Sequence, residues 1–295
     1  MTSTLTERDW VTLLSRIPRG KVVPFIGAGA CYGSLPLGGD IAREWAERFH
    51  YPMSDTGDLV RVSQFLAVEF DPVYPKELVL ERLRGIDPPD LHAPDEPHGV
   101  LADLPLPIYL TTNYDDFMAR ALASRYRDPR REFCRWNALV RDQPTLFENE
   151  PGYSPTVANP LVYYLHGHTD PNSVVLTEDD YLTFLAAMQD PDLLPDAVRK
   201  AIASSSLLFI GYRMADWNIR VVLQGLRSLG QSFNRAGNLS VMVLVPPDGP
   251  DGVRQKMQDY LDRYYAAMDL RVYWGTAREF CGELATRWKQ RPEAT

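Results

Sequence analysis

The chain has 295 residues, 45% of them hydrophobic and 24% charged, with a formal net charge of -8. That composition excludes a disordered chain, a collagen-like chain and a coiled-coil rod. The acidic balance argues against unaided wrapping of nucleic acid or adhesion to anionic lipid. The three cysteines, Cys31, Cys134 and Cys281, form no C-x-x-C pair, which points away from a disulfide framework or a zinc ribbon and suits a reducing cytoplasm. The opening MTSTLTERDW has no positive segment followed by an apolar one, and no apolar run approaches the ~18 residues of a membrane span. A soluble, cytoplasmic protein is expected.

In chain order, the first strand is predicted at 21–26 (KVVPFI), followed by helices at 40–49 and 58–70 and a proline-rich stretch at 87–97 (DPPDLHAPDEP). A second strand is expected at 107–111 (PIYLT), with a helix at 115–124. Residues 125–160 carry scattered charges and prolines and read as loops around a short helix. The remaining predicted strands are 161–165 (LVYYL), 206–210 (SLLFI), 239–245 (LSVMVLV) and 270–274 (LRVYW). Helices at 178–187, 194–203, 216–229, 252–268 and 277–288 alternate with them. The strands are apolar on both faces, as central strands of a covered parallel sheet are. The fold class is therefore α/β: a doubly wound, mainly parallel six-stranded sheet. The roughly eighty residues between the first two strands exceed what a crossover needs, so about 32–104 is read as an inserted helical module. The core is placed at 20–31, 105–125 and 160–290 of one domain, 1–295.

Chemistry-bearing residues collect where predicted strands end. Gly27, Ala28, Gly29 and Ala30 follow the first strand, where small residues let a backbone approach a phosphate; a tight turn without a ligand is the other reading. The G-x-G-x-x-G fingerprint fails by one residue, since Tyr32 stands at the third glycine and Gly33 follows. Thr111, Thr112, Asn113, Tyr114, Asp115 and Asp116 follow the second strand. Helix capping accounts for one of the two aspartates. It leaves Asn113, a donor and an acceptor, and the threonines unexplained. His166-Gly167-His168 follows LVYYL. A histidine there serves either as a base near neutral pH or as a satisfied core or surface side chain. Metal ligation by His166 and His168 finds no other ligand cluster to complete it, so no metal is expected. Gly211 and Tyr212 follow SLLFI, with Asp216 as a helix cap. Gly275 and Thr276 open the last predicted helix, either against a nucleotide or as a cap. Five such strand exits on one sheet face one crevice, the layout of a nucleotide site.

FIGAGAC, LTTNYDD, YYLHG and LLFIGY, in that order, resemble the sirtuin superfamily of NAD-consuming enzymes, with its G-A-G-x-S loop, T-Q-N-x-D motif and H-G motif. The closer resemblance is to the sirtuin-like (SIR2-like) NAD-hydrolase domain of bacterial antiphage defence systems. There T-T-N-Y-D replaces T-Q-N-x-D, a P-H pair (here Pro97-His98) precedes the second strand, and a G-Y/F-S/R-x-x-D-x-N element (here Gly211 to Asn218) follows a later one. The resemblance implies a Rossmann-like sheet and NAD as substrate. It implies that Gly27, Ala28 and Gly29 form the pyrophosphate loop and that Asn113 and Asp115 hold the nicotinamide ribose and carboxamide. His166 matches the general base, Gly211 and Tyr212 the ribose–phosphate side, and Thr276 lies near the adenine.

The departures bear on the reaction. Both C-x-x-C pairs of deacylating sirtuins are missing, Cys31 stands where serine is usual, and no substrate-tunnel signature follows His166-Gly167. These count against a protein deacylase and fit NAD hydrolysis, with water in place of the acyl oxygen. A dehydrogenase lacks its third glycine and its acidic residue on a second strand. A catalytically silent NAD- or ADP-ribose-binding regulatory subunit is the alternative of another class. An unregulated NAD hydrolase would poison its host. The resemblance thus implies gating by self-assembly, a HerA-type ATPase or an Argonaute-like protein.

Overall fold

The computed structural model describes residues 5–213, 223, 225 and 239–291. Seven strands form one sheet: β1 (Val22–Ile26), β2 (Ile108–Thr111), β3 (Arg130–Phe133), β4 (Leu161–Tyr164), β5 (Ser206–Tyr212), β6 (Ser240–Leu244) and β7 (Leu270–Trp274). All ladders are parallel and the order is β3-β4-β2-β1-β5-β6-β7. The doubly wound α/β expectation holds, with one correction: the sheet has seven strands, not six. The added strand, β3, lies at an edge within the stretch read as loops, and pairs with β4 from Arg130↔Leu161 to Phe133↔Tyr164.

Alternate side chains of the central strands feed opposite faces, as a period of two requires. Val23 and Phe25 of β1, Leu110 of β2, Tyr163 of β4 and Phe209 of β5 join one core. Val22, Ile26, Tyr109, Tyr164 and Ile210 join the other. This is why these strands read as continuous apolar runs. The helices Glu178–Ala187 and Ala277–Gln290 lie where the periodicity places them. Of the helix predicted at 216–229, only Leu223 and Gly225 are described, both helical; Asp216 and Asn218 lie outside the described residues.

Between β1 and β2 run the helices Gly38–Arg48, Leu59–Glu69, Tyr74–Leu83 and Pro97–Ala102. The first three share a core of their own around Trp45, Val62, Leu66 and Val79. Pro97–Ala102 instead packs into the sheet's core, through Val100, Leu101 and Ala102. The helical layer is tied to the far half of the chain by a buried ion pair, Lys76 Nζ to Asp180 Oδ1 at 2.7 Å. The other oxygen of Asp180 accepts from the Leu176 and Thr177 amides.

Candidate active site

The chain runs from β1 outward on one side to β2, β3 and β4, then returns to the other side of β1 as β5. The carboxyl ends of β1 and β5 are thus a topological switch point, where loops diverge and leave a crevice. A cleft of about 570 Å³ opens there, within the size range of small-molecule sites. Ala28 and Gly29 after β1, Thr112, Asn113 and Asp115 after β2, and Gly211 and Tyr212 of β5 line it. The helical layer supplies the opposite wall through Leu37, Asp55, Leu59 and Val79.

Two loops interlock at the switch point. Gly211 has φ +83° and forms a bulge, because the register of β5 against β6 shifts by one residue between Phe209 and Tyr212. A Cβ there would stand 2.4 Å from the Ala30 amide nitrogen and 2.5 Å from the Gly27 carbonyl oxygen. A Cβ on Gly29 would meet the Gly211 carbonyl oxygen at 2.9 Å. These glycines are therefore required by the protein's own packing, whatever ligand the cleft takes. Ala28 and Gly29 reach the cleft; Gly27 and Ala30 are packed beneath it and do not line it.

The loop after β2 is fixed by its own threonines. Thr111 Oγ1 donates to the Ile26 carbonyl at 3.1 Å and accepts the Asn113 amide at 2.9 Å. Thr112 Oγ1 lies 3.2 Å from Tyr212 Oη, linking the ends of β2 and β5. One oxygen of Asp115 caps the next helix by accepting the Phe117 amide at 3.0 Å. Asp116, at the N-cap position, makes no side-chain cap. The other Asp115 oxygen accepts from the Cys31 thiol at 3.4 Å, and Asn113 Nδ2 donates to the same sulfur at 3.4 Å. Burial first, then the Asp115 charge, pushes the Cys31 thiol well above its usual range, so it stays protonated.

Behind Cys31 stands a buried pair, of which the sequence singled out only His98, through its Pro97-His98 element. His98 Nδ1 is 2.8 Å from Glu96 Oε1, and both side chains are 1% exposed. Glu96 Oε2 accepts the Gly99 amide. Burial raises the Glu96 carboxyl, but the bonds from His98 and Gly99 outweigh it and hold it below the usual range. The Glu-Pro-His sequence ahead of a helix was the available signal: glutamate caps that helix from position 96.

His166 lies at the end of β4 but does not line the cleft. It is fully buried, edge-on to Tyr181 and Phe184 at 5.5 and 5.0 Å between ring centroids. Among the described residues neither ring nitrogen meets a hydrogen-bond partner. Burial pulls its pKa down to about 3, so the ring is neutral. Gly167, at φ +84°, lets the chain pass the Ser173 carbonyl, which a Cβ would approach to 2.2 Å. His168 stacks on Tyr164 at 4.0 Å between centroids. Thr276 does not come to the cleft: it caps the helix Ala277–Gln290 in a capping box with Glu279.

Residues 107–272 match the family model described as a SIR2-like domain, more than half of the chain. The chain belongs to the SIR2-like family. Among curated proteins it is similar to the NAD(+) hydrolase ThsA of Enterococcus faecium, 27% identical over 136 residues, covering 45% of this chain and 25% of that protein. The NAD(+) hydrolase ThsA of Acinetobacter baumannii is 26% identical over 221 residues, covering 73% of this chain and 41% of that protein. Defense-associated sirtuin 2 of Bacillus subtilis is 29% identical over 119 residues, 34% of this chain and 11% of that protein. The matched part of this SIR2-like chain spans less than half the length of each. Among the described residues no helix is long and apolar enough to cross a membrane.

Proposed function

We propose that this SIR2-like chain hydrolyses NAD at the nicotinamide–ribose bond, giving nicotinamide and ADP-ribose, and that it serves antiphage defence by depleting NAD. We read 1–295 as one domain with a helical insertion at about 32–104, acting in the cytoplasm and gated by a second copy or a partner protein. The observation that carries the reading is the convergence of Asn113 and Asp115 with Gly29 and Gly211 around one switch-point cleft. The names of three similar proteins support it.

In this reading Ala28 and Gly29 receive the pyrophosphate, and Thr112 and Tyr212 lie along the ribose. Asp115 orients the nicotinamide carboxamide so that the ring turns out of conjugation as it leaves. Asn113 positions the ribose hydroxyls or the attacking water. The bond to nicotinamide breaks with its electron pair going to the leaving ring nitrogen, and water adds to the oxocarbenium-like ribose carbon. His166 takes the proton from the ribose hydroxyl or that water, once Tyr181 has swung off its imidazole. The ring is neutral at working pH, and the water admitted by that movement raises its pKa from about 3 toward the range of an effective base. Its nitrogens also lack partners among the described residues, a burial cost of about 1–3 kcal/mol that calls for an explanation. The same burial is the one observation favouring a silent NAD- or ADP-ribose-binding subunit.

Chromatography of NAD incubated with the full chain and with Asn113→Ala tests the reading. Hydrolysis predicts nicotinamide and ADP-ribose in equal amounts from the wild type and a loss of at least about a hundredfold in the variant. Tight NAD binding with no product from the wild type is the outcome shared by the silent subunit and by an enzyme awaiting its partner.

A further inference from the structure

Cys31, His98 and Asp115 come from three separate elements, and their ligand atoms all lie within 4.8 Å of one another. Cys31 Sγ is 3.4 Å from Asp115 Oδ2 and 3.8 Å from His98 Nε2. In a tetrahedral zinc site, with metal–sulfur near 2.3 Å and metal–nitrogen or –oxygen near 2.0–2.1 Å, neighbouring ligand atoms sit about 3.5 Å apart. Both ligand atoms that face the sulfur already stand near that spacing, and His98 and Asp115 lie within 4.8 Å of each other. The backing of His98 fits as well. Its Nδ1–H is committed to Glu96 at 2.8 Å, which leaves the Nε2 lone pair toward Cys31. A carboxylate behind a histidine is the arrangement that orients and strengthens a metal-bound imidazole. Cys31 and Asp115 also line the cleft, so an ion between them is reached from it.

We propose that Cys31, His98 and Asp115 form a site for a thiophilic divalent cation of the zinc class, and that the bound ion shuts off the cleft. On binding, the Cys31 thiol gives its proton to water. The thiolate and the Asp115 carboxylate then balance the ion's two charges, and the Glu96 carboxylate behind His98 adds one further negative charge that favours the cation. Asp115 is withdrawn from the cleft. Asn113, whose Nδ2 donates to the same sulfur at 3.4 Å, is drawn with it. The metal site stands on geometry alone; the shut-off rests on the NAD reading above.

Cobalt(II) is the probe, because a thiolate bound to tetrahedral cobalt gives a charge-transfer band and strong visible bands. Titrating the metal-free full chain is expected to raise both bands to a plateau at one equivalent, and zinc should bleach them. Cys31→Ser removes the charge-transfer band, whereas Cys134→Ser and Cys281→Ser keep it. His98→Gln weakens cobalt binding at least tenfold. Far-UV circular dichroism of each variant confirms that it is folded. A wild type without the thiolate band overturns the site, as does a band that survives Cys31→Ser. Nicotinamide release from NAD should fall with the first equivalent of zinc and return with a chelator. His98→Gln should need at least tenfold more zinc, measured against its own metal-free rate. Cleavage indifferent to a bound equivalent of zinc overturns the shut-off. Cobalt bands in a protein that neither binds nor cleaves NAD support the site and overturn the NAD reading.

Discussion

The ring of Tyr181 stands edge-on to the imidazole of His166, 5.5 Å between centroids, and Tyr181 is the residue of that pair that lines the cleft. The tyrosine therefore governs how wet the histidine is. Its removal in Tyr181→Ala should let water reach the imidazole, and the pKa of His166, held at about 3 by burial, should rise by about a unit or more. Titration of the imidazole protons by NMR checks this. The variant also loses an aromatic packed against the core, at a cost of about 3–5 kcal/mol.

Acid should unfold the protein partly through the same residue. The unfolded chain protonates His166 near 6.5, whereas the native state resists until about 3. Above 6.5 neither state binds the proton and the residue adds no pH dependence. Between 6.5 and about 3 the unfolded state binds more protons, so stability falls as pH falls. His168, lowered to about 4 chiefly by burial, acts in the same direction. Urea midpoints measured across that window should fall less steeply in His166→Leu than in the wild type.

Gly211→Ala should destabilise the protein by about 2–3 kcal/mol or more. It forces a side chain into the left-handed region and against the Ala30 amide. A fall in Tm of about 3–5 °C or more would register it. Gly33→Ala tests the account from the other side. Gly33 has φ +88° but open space around it, so only the backbone strain, about 1–2 kcal/mol, is lost.

Lys76→Ala should cost about 3–5 kcal/mol, because it strands the largely buried Asp180 carboxylate without its partner. Denaturation of the double variant Lys76→Ala/Asp180→Ala gives the coupling energy directly. The tether joins the helical layer to the helix that carries Tyr181.

Six strands were legible because each is a mostly apolar, mostly buried run. β3 was not: RREF is charged and lies at an edge, so its pairing comes from β4 rather than from its own pattern. The loop after β2 was legible as a cluster of polar residues ending an apolar run. Which aspartate caps was not, since either spacing serves. Asp115 does so, and its other oxygen faces Cys31. Pro97-His98 was legible as a motif, but not that His98 meets Cys31 across more than sixty positions of chain, nor that Glu96 stands behind it. Glycines at strand ends look alike whether they admit a phosphate or a neighbouring loop. Gly27 and Gly211 show the second case, and Thr276 shows that a strand-end threonine serves its own helix.

The most direct measurement is nicotinamide release from NAD by the full chain beside His166→Ala, with NAD affinity determined on both. The account predicts product from the wild type, a rate about 10²–10⁴-fold lower in the variant, and NAD affinity unchanged within a few-fold because His166 lies behind the cleft. Equal rates from the two proteins, or a wild type that neither binds nor cleaves NAD, would contradict it.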